Sequence, residues 1–74
     1  MDFDFPDDLV QLQRDWFAAD EARTAAARSG DSEVFAVADG RLQDVTMALH
    51  RHPYMQASET RYQARMALRE AAKA

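Results

Sequence analysis

The chain has 74 residues, a net charge of −4 and no cysteine. That length admits one small domain with a modest core, and the missing thiols exclude disulfide stapling, thiolate catalysis and Cys-based zinc sites. The acidic balance argues against a general phosphate-binding surface, and no apolar run approaches the roughly 18 residues that a membrane span needs.

The N-terminus has no basic stretch followed by an apolar one, so no secretory leader is expected and the cytoplasm is the expected location. Fifteen of the 35 apolar residues are Ala, four are Val and none is Ile. Much Ala with few β-branched residues predicts an all-α fold, since Ala favours helix and buries little area.

Residues 1–5 alternate acid with aromatic: Asp2, Phe3, Asp4, Phe5. Pro6 suits a first helical position, and Asp7 and Asp8 complement the partial positive charge of a helix N-terminus. Asp4 is a candidate cap. Phe3 and Phe5 are expected to fold over the core near Leu9 and Leu12; the alternative is an aromatic-acidic motif that enters a partner's groove.

The first helix is predicted over about 6–28. Leu9, Leu12, Trp16, Ala19 and Ala26 recur at helical spacing, with Val10 and Phe17 on one flank. Trp16 is expected at the centre of the core, packed on Leu12, Leu42, Val45 and Leu49. Ser29-Gly30-Asp31-Ser32 breaks the pattern: Gly30 suits the left-handed position that ends a helix, and Asp31 or Ser32 caps the next. So short a connection makes the first two helices antiparallel neighbours.

The second helix is predicted over about 32–51, with Val34, Ala38, Leu42, Val45, Leu49 and His52 on one face. Phe35, Val37 and Ala48 widen it. Asp39-Gly40 is a hairpin signal inside this stretch, but the helical period runs through it in register. Ala36, Gly40 and Met47 then share the opposite face, a candidate interface with another helix or a second copy. His52-Pro53 ends the helix, because a residue before Pro is pushed out of the α region. The third helix is predicted over about 54–72, with Ser58 as a candidate cap and Ala71 to Ala74 frayed. Arg61, Arg65 and Arg69 lie one turn apart along it, with alkyl stems over the core edge and guanidinium groups reaching solvent or the acids of the first helix. Together these elements predict a single helical domain over 1–74, an up-down-up three-helix bundle.

Chemistry-bearing constellations are sparse. His50 and His52, two apart, point to different faces of a helix and make a poor chelating pair. Asp4, Asp7 and Asp8 lack calcium-loop spacing. No Gly-rich phosphate loop or base-paired serine stands out. No enzyme activity, cofactor or metal is expected. The leading expectation is a protein-interaction module, with a protein partner or itself as a homodimer. The alternative is a nucleic-acid-binding accessory protein that uses Arg61, Arg65 and Arg69.

Two family likenesses bear on this. Glu33-Val34 through Ala38, Val45-Thr46, Ala48-Leu49 and His52-Pro53-Tyr54 loosely resemble the helix-turn-helix of Lac-repressor-type regulators, which implies a turn at Asp39-Gly40 and DNA binding. Arg41 and Asp44 depart from that pattern. Over most of the chain, Pro6-Asp7-Asp8-Leu9, Gln13-Arg14-Asp15-Trp16, His52-Pro53-Tyr54 and Leu68-Arg69 resemble a family of small uncharacterised actinobacterial proteins. Its pattern is Pro-x-Asp-Leu, Gln-Arg-x-Trp and His-Pro-Tyr-Trp before an Arg-rich final helix; Met55 stands at the last Trp. That likeness implies a cytoplasmic helical protein and carries no activity or site residues with it.

Overall fold

The computed structural model describes residues 3–73. Met1, Asp2 and Ala74 fall outside them, and with them the start of the acid-aromatic segment and the end of the expected fray. Among the described residues the fold is all-helical: α1 spans Asp7–Ser29, α2 Ser32–Arg51, α3 Pro53–Ala57 and α4 Arg61–Lys73.

Local chemistry sets each boundary. Pro6 precedes α1 in extended conformation rather than lying inside it, and its carbonyl accepts from the Leu9 and Val10 amides. No side chain caps α1, so Asp4 does not play that part. Gly30 stops α1 at φ 76°, ψ 2°, a conformation that costs side-chain-bearing residues steric strain. Asp31 then caps α2 by accepting from the amides of Glu33 and Val34 at 3.0 and 3.2 Å. Such a cap is worth about 1 kcal/mol. α2 runs unbroken through Asp39-Gly40. The Asp39 carboxylate accepts from Arg23 Nε on α1 at 2.7 Å and from Gln43 Nε2 one turn ahead at 2.8 Å, so its side chain is engaged along the helix instead of folding a turn.

The predicted third helix is divided. Pro53 opens α3, and His52 caps it: Nδ1 accepts from the Tyr54 amide at 3.1 Å. Ser58 terminates α3 in extended conformation instead of capping a long helix. The Thr60 carbonyl accepts the Ala64 amide in the first turn of α4.

The pairs Trp16–Thr46 and Arg23–Asp39 run in opposite directions along the two long helices, so α1 and α2 form an antiparallel hairpin. Among the described residues, no Cα of α4 comes within 8 Å of one in α2; α4 lies against α1 and α3. The three long helices therefore do not pack equally on one another. The principal extents of 42 × 23 × 19 Å reflect a hairpin longer than the element that covers it.

The core is Leu9, Val45, Leu49, Met55, Ala64 and Leu68, with Leu9 and Leu68 the large side chains wholly removed from solvent. Phe3 and Phe5 pack against it from outside. Their rings stack at 5.5 Å, and Phe5 meets Tyr54 at 5.3 Å. Arg14 Nε donates to the Ala72 carbonyl at 3.3 Å, placing a cation at the C-terminal end of α4, where it is favoured.

Trp16 is not central. It is partly buried at the rim, where indole Nε1 donates to Thr46 Oγ1 at 2.9 Å and Thr46 Oγ1 donates in turn to the Leu42 carbonyl at 2.7 Å. The Arg69 guanidinium lies 5.0 Å from the ring centroid. A buried indole needs a partner for its N–H; at the rim it has one and still contributes apolar area.

Candidate functional site

Two surfaces stand apart from the core. The first is the outer face of α2. Ala36, Gly40 and Met47 are all exposed, and a Cβ built on Gly40 meets nothing within 4 Å. The backbone there is open to close approach by another helix. The neighbouring flank is more apolar than the sequence suggests. Val34 is 50% exposed and Val37 75% exposed, although both were expected on or beside the buried face. They line an open trough with Ala22, Glu33, Ala38 and Arg41. The reason is the reach of α3 and α4: their core side chains Met55 and Leu68 meet α2 only at Val45 and Leu49 in its C-terminal half, so side chains flanking the hairpin seam near Val34 have nothing to pack on. On the other flank, Met47 is 45% exposed beside Leu42, Gln43 and Thr46.

The hairpin is fastened beneath this face. The Arg23 guanidinium lies 5.2 Å from the Phe35 centroid while Nε bonds Asp39. Both partners of that ion pair are partly exposed, so the charge pairing itself contributes about 1 kcal/mol at most.

The second surface is the end formed by α2, α3 and α4. Here the row Arg61, Arg65, Arg69 divides. Arg69 turns onto Trp16, whereas Arg61 and Arg65 are exposed and line a cleft with His50, Met55, Gln56 and Tyr62. Neither Arg61 nor Arg65 has a carboxylate at ion-pair distance among the described residues, so of the two expected directions these guanidinium groups take solvent rather than the acids of α1. Tyr62 is 77% exposed. Gln56 Nε2 donates to the His50 carbonyl at 2.6 Å, which ties α3 to the end of α2. His50 and Gln56 were not foreseen as cleft walls; only the bend at Pro53 turns α3 back on α2.

His52 belongs to the frame. Its Nε2 lies 2.9 Å from Asp8 Oδ2 while Nδ1 accepts from Tyr54, which selects the Nε2–H tautomer. The hydrogen bond from His52 holds the Asp8 carboxyl below the usual aspartate range, against a smaller opposing effect of burial. No group of three His, Asp or Glu side chains able to hold a metal occurs among the described residues. No helix there is long and apolar enough to cross a membrane. The turn that a helix-turn-helix would need at Asp39-Gly40 is absent.

No curated protein and no solved structure matches the chain. A family model does, over residues 8–71, from the first turn of α1 to the last of α4. The chain therefore belongs to the family DUF8825, a domain of unknown function.

Proposed function

We propose that this chain is a non-enzymatic, cytoplasmic protein–protein interaction module whose contact surface is the outer face of α2, and that its first partner is a second copy of itself. The observation that carries the reading is the apolar surface along the outer side of α2: Val37 at 75% exposure and Val34 at 50% toward the turn of the hairpin and Met47 at 45% further along, with Ala36 and Gly40 exposed as well. Single exposed apolar residues are ordinary, whereas several on one face of a helix mark a docking surface. Gly40 and Ala36 let a second helix approach closely, and two hairpins joined there make a four-helix arrangement with short connections. A core of this size gains stability from such association.

Native mass spectrometry and light scattering test the reading. The parent chain is expected as a dimer at micromolar concentration, and Met47→Glu and Val37→Asp as monomers with unchanged helix content. A dimer that survives both substitutions removes this face from consideration. A monomeric parent removes self-association.

A further inference from the structure

The charge of the molecule is distributed unevenly. Residues 1–49 hold eleven Asp/Glu and four Lys/Arg, while residues 50–74 hold two and five. Two of those five bases, Arg61 and Arg65, line a cleft of about 340 Å³ with His50 and Gln56, with Met55 at its floor and the Tyr62 ring at its edge.

We propose that this cleft binds a short acidic segment of a partner protein, its carboxylates paired with Arg61 and Arg65 and an adjacent apolar side chain lying on Met55 and Tyr62. Arginines one turn apart on a helix present two planar donor forks to neighbouring acidic groups. The fold leaves both forks without an intramolecular acid, while the third arginine of the row is committed to Trp16. An extended nucleic acid fits less well. Two free arginines make a short footprint, and the eleven carboxylates of residues 1–49 repel a polyanion lying beyond it. The apolar floor and exposed aromatic edge suit a mixed acidic-apolar peptide better than a sugar-phosphate chain. This inference concerns a different face from the outer surface of α2 and stands without it.

The test is selection of random dodecapeptides displayed on phage, run against the full chain, against Arg61→Ala/Arg65→Ala, and against Arg28→Ala/Lys73→Ala as a charge-matched control away from the cleft and from the outer face of α2. The full chain and the control are expected to enrich peptides that hold Asp or Glu beside an apolar residue. The cleft variant is expected to lose that enrichment, and the best peptide to bind it about tenfold more weakly by fluorescence anisotropy. Circular dichroism checks that all three proteins remain helical. No acidic enrichment on the full chain, or the same enrichment on the cleft variant, overturns the proposal. So does tighter, salt-sensitive binding of a labelled oligothymidylate than of the best peptide, lost with Arg61 and Arg65, which reassigns the cleft to nucleic acid.

Discussion

Leu68→Ala measures how much of the fold depends on α4. Leu68 and Ala64 are the contributions of α4 to the core cluster, and Leu68 is 1% exposed. Truncating a fully buried Leu to Ala costs about 2–5 kcal/mol, in transfer energy and in the space left behind. Leu9, Val45, Leu49 and Met55 line that space, and all lie on elements already held by other contacts. Collapse is therefore limited, and we expect about 3 kcal/mol. A domain of this size has roughly 3–5 kcal/mol to lose, so the variant sits near its unfolding midpoint at room temperature. The assay is a urea titration followed by far-UV circular dichroism, which reports all the helices, and by Trp16 emission, which reports α4 through the overlying Arg69. With a urea slope of about 1 kcal/mol per molar, the midpoint falls by about 3 M. Both probes are expected to move together, because the core shares its residues among all four helices. A midpoint displaced by less than about 0.5 M refutes the central role of Leu68. An emission change that completes while the helix signal is intact refutes the shared core, since α4 then undocks alone.

Gly30→Ala and Gly40→Ala should act in opposite directions in the same denaturation assay. The first forces a side chain into a positive-φ position and costs about 1 kcal/mol. The second adds a methyl at an open helical position and stabilises the folded chain by up to about 1 kcal/mol, while weakening dimerisation on analytical ultracentrifugation if α2 packs on its copy there. A double-mutant cycle of Trp16→Phe with Thr46→Val should give a coupling of about 0.5–1.5 kcal/mol; zero coupling would dismiss their hydrogen bond as a contributor. Because the carboxyl of Asp8 titrates below its unfolded value, its contribution to stability is present above about pH 4 and fades as the pH falls through the folded value. Asp8→Asn should accordingly flatten the acid limb of a stability–pH curve, and an unchanged limb would rule the Asp8–His52 bond out of acid sensitivity.

The helices were legible from the sequence wherever a boundary residue has one strong local preference. Gly30 stops α1, Asp31 caps α2 and Pro53 ends α2, each by its own backbone or side-chain chemistry. What depended on tertiary reach was not legible. Val34 lies at a core position of an amphipathic pattern, yet no α4 is there to cover it. Trp16 is the largest apolar side chain, but its N–H draws it to the rim and Thr46. The break at Ser58 to Thr60 carries no Gly or Pro; it accompanies the return of α3 onto the end of α2, where Gln56 bonds the His50 carbonyl. The candidate sites were half legible. Met47 was read as exposed from its place on the helix, whereas the division of the arginine row needed the position of the Trp16 ring.

The unequal cover over the hairpin has a consequence for its motions. Amide protons near Gln13, Val45 and Leu68 lie within the helices in the part closed by α4, and their exchange with solvent requires opening of the whole fold. Those from about Ala22 to Gly40 are held by one helix against another, through Ala26, Phe35 and the Arg23–Asp39 bond. Openings limited to that end are cheaper than global unfolding, so its hydrogens exchange first. A partner seated on Val34 and Val37 suppresses those local openings, and slower exchange at the turn of the hairpin becomes a direct readout of its occupancy.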